Sequence, residues 1–155
     1  MKPLNPFRQS TFMCGPASLK ILLSHYGKHF SEQELAALCS STIEDGTTID
    51  GLVDGIRKLG YAPVTKKDAT FEDIRAYIAQ EIPVIVAWFK VDYHHISVVY
   101  DITDTHIFLM DPEEENGMTT MPLTAFEPLW EDYDSFTKVI TPKWLLVVPE
   151  LTSPR

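Results

Sequence analysis

A chain of 155 residues, 45% hydrophobic and 23% charged, has the size and composition of one well-buried globular domain. Thirteen Lys and Arg against 22 Asp and Glu give a net charge of −9, a sign that excludes nucleic-acid binding through clustered cations. The longest uninterrupted apolar run, 84–89, is too short to cross a bilayer, and residues 1–12 lack the apolar centre of a signal peptide, so no membrane role and a cytoplasmic location are expected.

The first predicted element is an amphipathic helix over 17–26 (ASLKILLSHY), with Pro16 in its first turn and Gly27 just past its end. Cys14 stands at its start, facing the unpaired N–H groups and the positive end of the helix dipole, which favour thiolate over thiol. The competing reading is a Cys packed as a small hydrophobe, the commoner fate of an isolated cysteine. Ser31-Glu32-Gln33-Glu34 is a capping box that starts a second helix reaching Cys39, which falls in the apolar pattern and reads as inert core. The two cysteines have no metal-ligand spacing, and a disulfide is out of place in a reducing cytosol. The polar stretch 40–48 reads as a loop. A third helix follows over 49–59, apolar at Ile49, Leu52, Val53, Ile56 and Leu59 and stopped by Gly60. A short strand over 61–65 and a fourth helix capped by Thr70 and running to Ala79 complete the first half.

The second half reads as strands. Residues 83–89 (PVIVAWF) form a β-rich run suited to burial on both faces. Residues 95–100 and 106–110, joined by a polar turn, form a hairpin. Asn116-Gly117 marks another turn, 123–130 a short helix and 144–148 a closing strand. The acidic runs Glu113-Glu114-Glu115 and Glu131-Asp132-Tyr133-Asp134 read as solvated loops, with attraction of a basic peptide as the weaker alternative. Helices first and strands later indicate an α+β domain with an antiparallel sheet, covering 1–150 and leaving a short tail over 151–155.

A thiol nucleophile needs a base within reach, and the base needs an orienting group. His95 opens one hairpin strand and Asp111 follows the other, so both lie at the same end of the ladder. Each has an ordinary reading, a strand-end histidine and an Asp-Pro turn. Together they stand where a Cys–His–Asp constellation requires them. Adjacent strand residues point to opposite faces, so only one of His94 and His95 can readily meet Cys14. For the same reason Cys14, His94 and His95 do not converge on zinc, and no metal or cofactor is expected. No G-x-x-x-x-G-K-[ST] phosphate loop occurs either.

Gln9 upstream of Cys14-Gly15-Pro16-Ala17-Ser18, the run LKILLSHYG, Gly60-Tyr61, residues 83–89, His95-Ile96-Ser97-Val98-Val99-Tyr100 and Asp111-Pro112 cover most of the chain in one order. In that order the sequence resembles a C39-like cysteine peptidase domain, a branch of the papain-like cysteine proteases. The resemblance implies a papain-like fold, with N-terminal helices packed on an antiparallel sheet, and a cysteine peptidase acting on a peptide or small protein. It implies Cys14 as nucleophile, His95 as general base and acid, and Asp111 as the group holding the imidazole. Gln9 would be the side-chain donor of the oxyanion hole beside the Cys14 backbone N–H. The family pattern of His, one bulky residue and a β-branched run fits His95 better than His94.

Gln9 lies one residue closer to Cys14 than papain-like spacing, so either the loop absorbs the difference or Gln9 is a surface amide. The best-known members remove leader peptides after a Gly-Gly pair, often as the N-terminal domain of a peptide-exporting ABC transporter. No membrane-spanning or nucleotide-binding region follows here, so that context is not expected. Two other functions fit the constellation: an idle peptide-binding module of the same fold, and an amidase or acyltransferase on a non-peptide substrate. Retention of Cys, His and Asp favours an enzyme.

Overall fold

The first helix, α1 (Cys14–His25), begins at the cysteine itself, so Pro16 falls in the first turn, where a backbone N–H has no helical partner to lose. The computed structural model describes residues 4–152, and residues 153–155 of the expected tail lie outside the described residues. The expectation of an amphipathic α1 is corrected: Gly15 to Leu19 and Ile21 to Leu23 are all buried, so apolar contact surrounds most of the helix. The second helix, α2 (Glu32–Leu38), carries the predicted capping box, with Ser31 and Glu34 satisfying each other's backbone N–H groups. Helix α3 (Ile49–Lys58) is capped by Thr48. It packs closely on Cys39 through two glycines: a Cβ at Gly51 would lie 2.5 Å from the Cys39 carbonyl oxygen, and one at Gly55 2.5 Å from its sulfur. Helix α4 (Phe71–Ala79) has a capping box of Thr70 and Asp73.

The strands are β1 (Val64–Lys66), β2 (Val84–Lys90), β3 (Tyr93–Ile102), β4 (His106–Met110), β5 (Met118–Pro122), β6 (Glu131–Asp134), β7 (Val139–Pro142) and β8 (Leu145–Val147). Six form an antiparallel sheet in the order β1-β8-β2-β3-β4-β5, and β6 pairs with β7 apart from it. A short helix α5 (Leu123–Phe126) and a 3-10 turn over Glu127–Leu129 stand where the 123–130 helix is expected. Alternation along β2 divides the core: Ile85 and Ala87 pack with Leu19, Leu22 and Ile56 on the α1–α3 side. Val84, Val86 and Trp88 pack with Ile74, Phe126 and Trp130 on the other. The expected burial of this strand on both faces follows from that division.

Three expectations shift. Strand β1 lies over Val64–Lys66 rather than 61–65. Strand β3 begins at Tyr93, because β2 and β3 are joined by a tight turn in which Val91 takes φ 59. His95 is therefore the third residue of its strand, opposite Trp88 of β2. The acidic run 131–134 is corrected from solvated loop to strand: β6 ladders with β7 from Glu131↔Pro142 to Asp134↔Val139, and Asp132 is buried.

Candidate active site

Helix α1 lies across β3, and the Ser18 hydroxyl donates to the Ile96 carbonyl (3.0 Å), which pins the start of the helix over the strand carrying His95. Half-buried Cys14 is thereby brought beside the buried His95 on the same cleft. Ring Nε2 lies 2.5 Å from Asp111 Oδ1, which leaves Nδ1 as the nitrogen available to Cys14. The Trp88 ring packs edge-on against the imidazole at 5.9 Å between centroids, and its Nε1–H donates to the Ser97 hydroxyl (3.0 Å). Burial would push the His95 pKa down, but Asp111 and Cys14 outweigh it and carry it up to about 9.

Asp111 is fully buried and saturated with donors. Besides His95 it accepts from the Glu113 backbone N–H (3.0 Å), the Thr119 hydroxyl (3.3 Å) and Lys90 Nζ (2.8 Å). Burial raises its pKa, yet His95 and Lys90 together hold it down at about 2. Lys90, buried at the end of β2, also meets Glu114 (2.7 Å) and Glu113 (3.3 Å). Burial disfavours its charge, and these carboxylates reverse that and hold its pKa above the ordinary lysine value. Glu113 further accepts from the Tyr93 hydroxyl. Residues 113–115 form the expected loop, and two of its glutamates, partly exposed, pair with Lys90. Sequence reasoning missed this lysine; the signal was a cation ending an apolar strand in a chain with an acidic run after its Asp-Pro.

Gln9 borders the same cleft. Its backbone N–H donates to the Pro112 carbonyl (2.8 Å), tying the segment before α1 to the residue after Asp111. Its side-chain Nε2 donates one hydrogen to the Ser10 carbonyl (3.3 Å), and its Oε1 is buried with no partner among the described residues. A turn closed by Met13 N–H to the Ser10 carbonyl, with Phe12 at φ 61, carries the chain from there to Cys14. His94 turns away from the thiol toward Glu131 (3.4 Å) and packs between the rings of Phe89 and Tyr133. Both histidines still border the cleft.

The cleft holds about 840 Å³. Five carboxylates line it, from Glu44, Asp45, Asp92, Glu113 and Asp132, against the single guanidinium of Arg8. Among the described residues no three His, Cys, Asp or Glu converge as a metal site requires, and no helix is long and apolar enough to cross a membrane. The cleft presents a thiol and an imidazole at a helix N-terminus, with a buried carboxylate behind the ring, the parts of an acyl-transfer centre.

The model of the peptidase C39 family matches residues 7–138. The chain is 32% identical over 120 residues to the pediocin PA-1 transport/processing ATP-binding protein PedD of Pediococcus acidilactici, covering 76% of this chain and 16% of PedD. It is 36% identical over 107 residues to an uncharacterized protein of Methanothermobacter marburgensis, covering 68% of this chain and 69% of that protein. The solved peptidase domain of Streptococcus ComA, a bifunctional ABC transporter of a quorum-sensing pathway, superposes with a TM-score of 0.70 at 26% identity, over 90% of this chain and 98% of that domain. The chain thus spans a small part of PedD and nearly all of the ComA peptidase domain. Its helices on an antiparallel sheet are the papain-like arrangement of such domains.

Proposed function

The chain belongs to the peptidase C39 family, and from that premise we propose that residues 1–150 act as one cysteine peptidase unit in the cytoplasm, cutting a leader segment from a small peptide or protein after a Gly-Gly pair. The observation that carries the reading is the juxtaposition of Cys14 and His95 on one cleft, with the imidazole hydrogen bonded to buried Asp111. The Cys14 thiol passes its proton to His95 Nδ1, Sγ attacks the scissile carbonyl carbon, and the carbonyl electrons move to oxygen. That oxyanion sits at the start of α1, where the Cys14 backbone N–H and the Gln9 side chain supply donors. As the intermediate collapses, the carbon–nitrogen bond breaks and the His95 Nδ1 proton passes to the leaving amine. Water then gives a proton to His95 and attacks the thioester, and the thiolate leaves. Asp111, bound to Nε2, keeps Nδ1 aimed at sulfur throughout.

Incubating the protein with peptides that carry a double-glycine leader, with mass spectrometry of the products, tests this. Wild type should release fragments ending in Gly-Gly, and Cys14→Ala should release none. Binding without cleavage by wild type would leave a peptide-binding module.

A further inference from the structure

We propose that Asp132 is a cation-binding subsite of the cleft, and that the peptide substrate carries a Lys or Arg side chain that pairs with it; this deepens the peptidase reading above and rests on it. Asp132 lies on β6, is 7% exposed, and borders the same cleft as Cys14 and His95. A carboxylate so buried is ordinarily matched by a cation or by several donors. Asp111 shows that arrangement in full. Asp132 lacks it: among the described residues no lysine or arginine pairs with its carboxylate.

The charges around it do not replace that partner. His94 attracts it, but its Nε2 faces Glu131 instead. Asp134 and Asp50 add charge of the same sign. Burial therefore pushes the Asp132 pKa up to about 6, whereas Asp111, with His95 and Lys90 on it, stays at about 2. A cation arriving from the cleft would meet an unneutralised carboxylate in a field already negative from Glu44, Asp45, Asp92 and Glu113.

The neighbouring surface suits a peptide side chain. The Tyr133 and His94 rings, 5.7 Å apart, line the same cleft and give the rest of the substrate chain a flat surface. A pair of glycines before the cut offers no side chain, so the cation belongs to another position of the substrate.

The test uses fluorescent peptides of one double-glycine leader sequence, each carrying a single Lys at a different position, with norleucine as the uncharged control. Their affinities are measured by anisotropy for Cys14→Ala and for Cys14→Ala with Asp132→Asn. One Lys position should bind about 10- to 100-fold tighter than its norleucine control, the range of a charge-assisted hydrogen bond, and Asp132→Asn should remove that gain. A gain that survives Asp132→Asn, or a series in which no Lys position gains, overturns the subsite. Cleavage of the same peptides by wild type is scored separately. Asp132-dependent binding without cleavage supports the subsite and refutes the peptidase reading instead.

Discussion

Lys90 Nζ lies 2.8 Å from Asp111 Oδ2, the oxygen that His95 leaves free. The lysine never meets the thiol, yet it shares the carboxylate that holds the imidazole. Replacing it with Met leaves buried Asp111 Oδ2 with the Thr119 hydroxyl alone, a loss on the order of 3–5 kcal/mol for a broken buried pair. Lys90→Met should lower the melting temperature and turnover together, and Lys90→Arg should restore part of both. Without the lysine's charge the Asp111 pKa climbs from about 2, so the acid limb of the rate profile should move to higher pH. An unmoved limb in Lys90→Met would reduce Lys90 to a packing residue.

The His95–Asp111 pair also sets a window of stability. His95 is raised from 6.5 to about 9, so its contribution is fully present below 6.5 and is lost as pH rises through 9. Asp111 is lowered from 3.8 to about 2, so its contribution is present above 3.8 and is lost as pH falls through 2. Urea midpoints measured across pH should therefore decline from neutral toward pH 9 in wild type. In His95→Asn that decline should flatten, and an equal slope in both proteins would place the titration elsewhere.

The two thiols should separate cleanly. Cys39 is 1% exposed and burial pushes its pKa up to about 11, while Cys14 opens on the cleft. Brief iodoacetamide treatment followed by peptide mapping should find the label on Cys14. His95→Ala should abolish that labelling near neutral pH, and His94→Ala, which removes contacts with Glu131, Phe89 and Tyr133, should keep most of it.

Gly15 is a stability prediction with a functional echo. A Cβ there would lie 2.6 Å from Thr47 Cβ and 2.7 Å from its hydroxyl, in a side chain too short to swing aside. Alanine in a helix is otherwise favourable, so the crowding decides the sign. Gly15→Ala should cost about 1–3 kcal/mol in chemical unfolding. Because the strain falls one residue from Cys14, turnover should drop as well.

Much of this arrangement is legible in the sequence where the signal is local. The capping boxes at Ser31 and Thr70 and the stop at Gly60 all declare themselves within a few residues. The meeting of His95 and Asp111 follows from one hairpin, β3–β4, although β3 starts earlier than its apolar run suggests. What local pattern cannot carry is partnership at a distance. Residues 131–134 hold three acids and no apolar alternation, and become a strand only through β7. Strand β5 is half exposed and ends in proline, so it too depends on its ladder with β4. Lys90 reads as the polar end of a strand until the glutamates after Asp111 fold onto it.

Strand β8, the last strand in chain order, fills the gap between β1 and β2. On a ribosome Cys14 emerges early, His95 and Asp111 much later, and the strand that closes the sheet later still. On the proposed mechanism a growing chain carries its thiol for most of synthesis without the imidazole that would activate it. The hazard during that interval is adhesion: until residues 145–147 arrive, one edge of the apolar strand β2 is bare. Chains that terminate before β8 should accumulate as aggregates rather than as stray peptidase.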